Sequence, residues 1–275
     1  MFDSEAAYRE AFEAFVGTLG ARDGLLVLCG DDPAVARLAA HTDGRVRTYG
    51  LDPENDVSIT NHEVGPEGQR FTITMGGLER GTYTLPLHGR HNVQNALAVA
   101  LIAFSEGCSS TQVARGFETF DGVARRQEVR GIVNDITVID DFAHHPTAVE
   151  VTLDGLRAAY PERRLVVAFE PRSNTSRRAR FTTAYAHAFD AADEVVLSTP
   201  PFRHNDRADD RLDVAAIAAT LRDRGVHATV ADDPDATLQQ VHRLVQPGDV
   251  VVTMSNGAFG NLPARLLDTL APDSA

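Results

Sequence analysis

The segment Ile136-Thr137-Val138-Ile139-Asp140-Asp141-Phe142-Ala143-His144-His145-Pro146-Thr147 decides the fold, because an apolar strand here runs directly into a helix start. Residues 136–140 form a short apolar run, and Pro146 suits the first turn of a helix over about 146–159. The same strand-then-helix unit recurs to the end of the chain. Further strands are predicted at 165–169, 194–197, 227–230 and 250–253, and further helices at about 177–191, 212–223, 234–245 and 260–270.

Short apolar strands that alternate with helices indicate an α/β fold with a Rossmann-like parallel sheet covered on both faces. Ligands of such sheets gather at the carboxyl ends of the strands. The first part of the chain differs, because its strands follow one another in an antiparallel meander joined by Gly-rich turns. We therefore expect a mixed sheet with helices over 1–122 and the parallel-sheet domain over 123–275. In the first part, strands are predicted at 25–29, 46–49, 57–64, 69–75 and 78–85, and helices at 3–19, 33–40, 91–104 and 111–120.

Composition limits the function. The 275 residues include 26 Lys+Arg and 39 Asp+Glu, a net charge of −13, which disfavours general nucleic-acid binding. No apolar run approaches the ~20 residues of a membrane helix, and two distant cysteines fit a reducing, cytoplasmic setting. The sequence contains no lysine, so all 26 basic residues are arginines. Schiff-base chemistry and the phosphate-binding lysine of a Gly-rich loop are therefore excluded for this chain alone.

The first candidate site lies where residues 88–95 run from a strand end into a helix. His91 and Asn95 are four residues apart and share one face of its first turn, beside Asn92. Free backbone N–H groups and the positive end of the helix dipole suit an anionic or nucleotide ligand there. The alternative is that Asn92 caps the helix and His91 packs locally.

The second candidate is the strand end at Asp140, Asp141, His144 and His145. Carboxylates and imidazoles in that position could hold a metal ion, a ribose or a phosphate-linked cation. An Asp cap followed by two solvated histidines is the simpler alternative.

Two further candidates also follow apolar strands. Arg172 offers a planar fork for a carboxylate, with hydroxyl and amide neighbours at Ser173, Asn174 and Thr175; a solvated basic turn is the alternative. The stretch Ser255, Asn256 and Gly257 lets the backbone approach a ligand, although a plain strand–turn–helix joint explains it equally well. Arg125 and Arg126 lie at the expected domain boundary, where they could meet phosphates or simply be solvated.

Three of these motifs together, His91-Asn92-x-x-Asn95-Ala96, Gly122-Val123-x-Arg125-Arg126 and Asp140-Asp141-Phe142-Ala143-His144-His145-Pro146-Thr147, resemble the Mur ligases of bacterial cell-wall synthesis. The resemblance is strongest over about residues 85–275. It implies coupling of ATP hydrolysis to amide-bond formation on UDP-N-acetylmuramate, with Mg²⁺ as cofactor.

Within the family, the stretch Phe-Glu-Pro-Arg-Ser-Asn-Thr at 169–175 and Ser-Asn-Gly-Ala-Phe-Gly at 255–260 resemble the murein peptide ligase branch. That branch implies the recycled tripeptide L-alanyl-γ-D-glutamyl-meso-diaminopimelate as acceptor. The branch that adds L-alanine usually carries a His-Arg pair at Arg172-Ser173 and a further Arg at Ser176, but L-alanine stays open as the alternative.

The resemblance also implies individual roles. His91, Asn92 and Asn95 would hold the adenine, Arg125 or Arg126 the phosphates, and Asp141 the ribose, while Phe142 would stack on the base. His144 and His145 would be catalytic and lie near the reacting phosphate. The acceptor would face Arg172, Ser173, Asn174, Thr175, Ser255, Asn256 and Gly257.

The sequence departs from the family pattern at its beginning. Family members have a UDP-sugar domain, a central ATPase domain and a C-terminal acceptor domain, whereas residues 1–122 resemble only the back portion of the central domain. The phosphate loop and the magnesium ligands are therefore expected upstream, with a separate N-terminal half as a candidate partner, and the chain is expected to be inactive alone. The rival hypotheses are a non-catalytic muropeptide- or nucleotide-binding module and a metal-dependent hydrolase built on Asp140, Asp141, His144 and His145.

Overall fold

The computed structural model describes residue 2 and residues 4–20, 24–200 and 210–271. The chain divides after Asp121 into two compact units, each with its own sheet. Unit 1 holds the mixed sheet and unit 2 the largely parallel one. We describe each unit by itself.

Unit 1 is built on a five-stranded sheet in the order β1-β2-β3-β4-β5. The pairs β1–β2 and β2–β3 are parallel, whereas β3–β4 and β4–β5 are antiparallel. Gly76 and Gly77, both with positive φ, form the tight turn between β4 and β5. The elements in chain order are α1 (Glu5–Gly17), β1 (Leu25–Cys29), α2 (Pro33–Ala36), β2 (Arg45–Tyr49), β3 (Val57–Gly65), β4 (Gly68–Met75), β5 (Leu78–Leu85), α3 (Arg90–Ser105) and α4 (Ser110–Glu118).

The core of unit 1 lies between the meander and helices α3 and α4. Phe71 and Tyr83 on neighbouring strands pack against Leu97, Leu101 and Phe117 on the helices. Helix α4 begins with a capping box, in which the Ser109 side chain and Gln112 satisfy each other's backbone N–H groups. A smaller cluster lies where α1 meets β1 and contains a single buried residue of the helix, Val16.

Unit 2 is built on a six-stranded sheet in the order β10-β9-β8-β11-β7-β6. All its neighbouring pairs are parallel except β6–β7, so β6 is an antiparallel edge strand. The elements in chain order are β6 (Glu128–Val133), β7 (Ile136–Asp141), α5 (Pro146–Ala159), β8 (Leu165–Glu170), α6 (Thr182–Ala188), β9 (Glu194–Ser198), α7 (Val214–Asp223), β10 (His227–Ala231), α8 (Pro234–Leu244), β11 (Val250–Ser255) and α9 (Leu262–Leu270).

Helices cover both faces of this sheet, and each face has its own apolar cluster. Phe169, Leu197 and Met254 belong to the cluster beneath α5, α6 and α7. Ala168 and Val196, the preceding residues on two of those strands, belong to the cluster beneath α8 and α9. Successive side chains alternate between the two faces, and both faces are dry. This explains why the central strands read as continuous apolar runs.

The α/β prediction is confirmed, as is the mixed sheet of unit 1, and most elements fall within two residues of their expected bounds. Strand β6 was missed, because it lies at the edge and Val129 and Ile132 on it are exposed. The predicted helix 177–191 was too long. Its beginning is a loop and a 3₁₀ turn (Ala179–Phe181). In that loop the Ser173 side chain accepts from the backbone N–H of Ser176, a local hydrogen bond that competes with helix formation. The predicted helix 33–40 is instead the single turn α2 followed by a 3₁₀ helix (Arg37–His41).

Candidate functional site

The carboxyl ends of three neighbouring strands in unit 2 bring together the candidate segments. Strand β11 lies between β7 and β8; Met254 pairs with Asp141 on one side and Phe169 on the other, and Ser255 pairs with Glu170. The helices that follow β7 and β8 cover one face, whereas the helix that follows β11 covers the other. Open α/β sheets bind ligands at such a change of side.

Arg125 connects two of these strand ends. Its Nε donates to Asp140 Oδ2 at 3.3 Å, and its Nη2 donates to the carbonyl oxygens of Ser255 and Gly257, the latter at 2.7 Å. Its backbone has a φ of 59°, a region that non-glycine residues seldom adopt, and its N–H donates to Glu128. Arg125 therefore holds β7 and the 255–257 turn together.

The Phe142 ring forms an aromatic surface beside two cations. The guanidinium carbons of Arg125 and Arg126 lie 5.3 Å and 5.5 Å from its centroid. Arg126 is exposed, whereas Arg125 is half-buried and occupied by the contacts above. A half-buried aromatic face can stack on a base, and the exposed guanidinium beside it can neutralise a phosphate.

Asp141 is buried, and its two oxygens accept backbone hydrogen bonds. Oδ1 accepts from Ala143 at 2.7 Å and Oδ2 from Gln127 at 2.8 Å. Burial raises the pKa of Asp141, although these hydrogen bonds oppose the rise; burial likewise raises the pKa of Asp140 against the effect of Arg125. The described contacts of Asp141 thus shape the loop, and its ribose role stays a prediction.

The two histidines differ in their surroundings. His144 is half-buried, and its Nδ1 lies 3.0 Å from the Phe142 carbonyl oxygen. The Tyr185 hydroxyl donates a hydrogen bond to the carbonyl oxygen of His144. Because a carbonyl only accepts, Nδ1 carries the proton. His145 is exposed, with one face against Phe181. Partial burial of the His145 ring lowers its pKa, and so do the neighbouring charges of His144 and Arg180.

The Arg172 side chain lies against the 255–257 turn. A Cβ atom at Gly257 would stand only 2.2 Å from Arg172 Cδ, so the side chain occupies space that only glycine leaves open. Arg172 is half-buried and forms no hydrogen bond or ion pair with any residue that the structure describes. Its guanidinium is therefore available to a carboxylate.

The other residues of the 172–175 stretch have local tasks or face solvent. Ser173 Oγ hydrogen-bonds to Ser176 Oγ at 2.9 Å and to its backbone N–H, and Asn174 Oδ1 accepts from Arg177 at 3.0 Å. Asn174 and Thr175 are exposed. Asn256 follows Ser255, and its buried Oδ1 has no hydrogen-bond partner within the described part of the chain.

Glu170 was not predicted as a site residue from the sequence. Its side chain is 4% exposed, and Oε2 accepts a 2.6 Å hydrogen bond from Ser255 Oγ, which in turn accepts from Gly257 N. A carboxylate directly after five apolar residues of a buried strand was the available signal.

In unit 1, the first turn of α3 carries the predicted adenine residues. Asn92 Nδ2 donates to His88 O at 2.7 Å, and the exposed Asn95 lies 3.4 Å from Asn92 Oδ1. His91 is half-buried in the same turn. The first turn of α3 therefore brings the three residues together. The N-cap residue is Gly89, and Asn92 lies inside the helix and donates to a carbonyl oxygen, so the alternative in which Asn92 caps the helix is wrong.

Asp31 was also missed, although two aspartates follow β1. Its carboxylate accepts from the backbone of Leu51 at 2.7 Å and of Asp52, and from the side chains of Asn55 and, at 2.7 Å, Gln94 on α3. Burial alone would raise the pKa of Asp31, but the hydrogen bonds outweigh it and lower the pKa. Asp31 thus joins the end of β1 to helix α3.

Among the residues that the structure describes, no group of three or more His, Cys, Asp or Glu side chains is arranged to hold one metal ion. The four residues of the hydrolase hypothesis are engaged separately, with Asp140 on Arg125 and Asp141 on backbone N–H groups. None of the helices described has the length and apolar character to span a bilayer.

Comparison with known proteins gives consistent relatives. The chain is 34% identical over 235 residues to the UDP-N-acetylmuramate–L-alanine ligase of Geobacter sulfurreducens, covering 85% of this chain and 50% of that protein. Among solved structures, a murein peptide ligase from Psychrobacter arcticus aligns with a TM-score of 0.65 at 26% identity over 100% of this chain and 57% of that one. The alanine ligase of Thermotoga maritima has a TM-score of 0.74 at 23% identity, over 97% and 55%, and shares the fold.

The chain spans about half the length of the curated relatives it matches. The family model described as the Mur ligase middle domain matches residues 1–103, and the one described as the Mur ligase, glutamate ligase domain matches residues 125–257. Together the two models cover most of both units. The polar residues at the carboxyl ends of β7, β8 and β11 lie within the second match. The chain therefore belongs to the Mur ligase family.

Proposed function

We propose that this chain forms the nucleotide- and acceptor-binding part of an ATP-dependent ligase that joins UDP-N-acetylmuramate to the amine of L-alanyl-γ-D-glutamyl-meso-diaminopimelate. The observation that carries the proposal lies at the carboxyl ends of β7, β11 and β8. The Phe142–Arg126 surface follows β7 there, and Arg172, which has no partner among the described residues, follows β8. Family membership supports the reaction class.

The nucleotide role rests on Phe142 and Arg126. Phe142 would stack on a base, and the exposed Arg126 guanidinium would lie near phosphate oxygens. Within unit 1, the first turn of α3 carries His91, Asn92 and Asn95, the residues to which the family resemblance gives a role in adenine binding, and Asp31 anchors that helix through Gln94. When bound, ATP supplies the phosphoryl group that activates the sugar carboxylate.

The acceptor role rests on Arg172. A half-buried guanidinium without a carboxylate partner among the described residues suits a peptide carboxylate, since the fork geometry allows two parallel hydrogen bonds. His145, whose pKa is lowered, is neutral near pH 7 and is suited to accept the proton that an attacking amine loses. Its exposure keeps the ring accessible.

L-Alanine is the second candidate acceptor. It is favoured by the name of the Geobacter sulfurreducens relative, a UDP-N-acetylmuramate–L-alanine ligase. The tripeptide is favoured by the residues at 169–175 and 255–260 and by the alignment with the Psychrobacter arcticus peptide ligase over the whole of this chain.

Calorimetric titration tests the proposal. The purified chain should bind the tripeptide more tightly than L-alanine, and Arg172→Ala should raise the Kd for the tripeptide about tenfold, as expected for a lost charge-assisted hydrogen bond. The matched control is Arg243→Ala on α8, which removes the same charge from an exposed position.

Preferential binding of L-alanine would transfer the proposal to the second acceptor. An Arg172→Ala variant that binds the tripeptide like the wild type would remove Arg172 from the site.

A further inference from the structure

The last residues of three adjacent strands form a polar row in unit 2. Ser255 pairs with Glu170, and Leu197 pairs with Phe169, so Ser198 and Glu170 are the next residues on their strands. Phe169, Leu197 and Met254 point into the cluster beneath α5, α6 and α7, so the row points to the opposite face. All three are buried, at 1%, 4% and 1% exposure for Ser198, Glu170 and Ser255.

The charge of Glu170 is not compensated within the described part of the chain. Ser255 Oγ donates to Oε2, but Oε1 accepts no hydrogen bond from a described residue, and no described Arg or His forms an ion pair with the carboxylate. A buried carboxylate without a cation is energetically unfavourable. Such a group is stabilised by a ligand that brings a positive charge.

Two further acceptor atoms lie at the same strand ends. Ser198 Oγ is buried and has no partner in the described ranges, and the same holds for Asn256 Oδ1, directly after Ser255. Buried polar atoms of native proteins nearly always find partners. An ammonium group has three N–H donors and one positive charge, which matches a carboxylate oxygen, a hydroxyl and an amide oxygen.

We propose that Glu170 binds the ammonium of the acceptor's L-alanyl residue, with Ser198 and Asn256 as additional hydrogen-bond acceptors. This inference rests on the proposed function but not on the choice of acceptor, since the tripeptide and L-alanine share that amine. Arg172, two residues from Glu170, binds a carboxylate of the same ligand. The residues at the carboxyl end of β8 then bind both the ammonium and a carboxylate of an amino-acid-like substrate.

The experiment compares the tripeptide with its N-acetyl-L-alanyl derivative, which lacks this ammonium, by calorimetric titration of the whole chain. The wild type should bind the free-amine peptide about tenfold more tightly. In Glu170→Gln, which keeps the size and the acceptor for Ser255, that ratio should fall to about one. Glu162→Gln removes the same charge from an exposed loop and should keep the wild-type ratio.

A merely structural role for Glu170 would weaken both peptides equally and leave the ratio unchanged, which would overturn the inference. Equal binding of the two peptides by the wild type would overturn it as well, while the proposed function would stand. The same comparison is made with L-alanine and N-acetyl-L-alanine. If the wild type binds none of these four ligands, the proposed function fails and the inference with it.

Discussion

The two units place their polar groups differently because their sheets are covered differently. In unit 2, every residue of β7, β8 and β11 is buried, since helices pack on both faces. In unit 1, β2 has no fully buried residue, and only two residues of β5 are buried. A sheet that is dry on both faces places its charged side chains at its ends.

This contrast explains where candidate chemistry is found in each unit. In unit 2, Asp140, Glu170 and Ser255 lie together at the carboxyl ends of three neighbouring strands. In unit 1, the comparable hub is one carboxylate, Asp31, held by a loop and a helix. Unit 1 also carries exposed aromatic residues on α1, with Phe15 at 67% exposure, whereas the aromatic residues Phe169 and Tyr185 of unit 2 are fully buried.

The largest expected effect on stability concerns the sheet of unit 2, which helices cover on both faces. Phe169 is fully buried, with ring centroids 5.1 Å and 5.3 Å from those of Tyr185 and Phe189. Phe169→Ala should lower the free energy of unfolding of unit 2 by about 3–5 kcal/mol, because the cavity cannot close. Native-state hydrogen exchange of the β8 and β9 amides measures this change.

Phe15→Ala is the matched control in unit 1. The same truncation at an exposed position should change stability by less than about 0.5 kcal/mol, judged from exchange of the β1 amides. Comparable losses in the two variants would show that α1 is as well packed as β8 and that the two units do not differ in this respect.

The next effect concerns the strand ends of unit 2. Arg125→Ala should destabilise that unit by about 2 kcal/mol, because it leaves buried Asp140 without its cation and two carbonyl oxygens without a donor. Arg126→Ala should cost less than about 0.5 kcal/mol but weaken ATP binding, since Arg126 is exposed beside Phe142. Urea denaturation and ATP titration of both variants separate the two roles; a reversed pattern would exchange the assignments.

The neighbouring arginines also show what sequence could predict. The doublet at 125–126 was recognised as a candidate phosphate contact, but nothing in the pattern distinguishes its members. The difference arises from the backbone, since a φ of 59° at Arg125 turns its side chain toward Asp140 and the 255–257 turn. Contacts 130 residues apart along the chain depend on the finished sheet.

The same reasoning separates confirmed elements from missed ones. Strands with continuous apolar runs, such as β8 and β11, were predicted almost to the residue because burial on both faces dictates their composition. Strand β6 lacks that signature at the edge, and the loop before α6 is set by Ser173 side-chain hydrogen bonds that periodicity does not register. Glu170 was overlooked because a single carboxylate after a strand is also typical of a cap.

A smaller effect is expected at the hub of unit 1. Asp31→Asn should lower the free energy of unfolding of that unit by about 1–2 kcal/mol at pH 7, because an amide cannot accept from all four donors. The folded pKa of Asp31 lies below 3.8, so its contribution is present above pH 3.8 and is lost as the pH falls through the folded pKa. Exchange of the α3 amides between pH 7 and pH 3 should show the two proteins converging.

The exposed Asp43→Asn is the control for charge alone and should track the wild type. A difference between Asp31→Asn and the wild type that stays constant down to pH 3 would contradict an ionised carboxylate as its origin.

The smallest effect on stability, and the sharpest on the proposed site, is expected at Gly257. Its Cβ would overlap Arg172 Cδ at 2.2 Å, so Gly257→Ala must displace a side chain that has no other partner among the described residues. Because that side chain can rotate into solvent, unit 2 should lose less than about 1 kcal/mol, whereas tripeptide affinity should fall several-fold. Gly65→Ala is the control, because it adds a methyl group in open space at a glycine whose φ, like that of Gly257, is not positive. If Gly257→Ala lost stability like Phe169→Ala, the 255–257 turn would belong to the packed interior rather than to the polar residues at the strand ends.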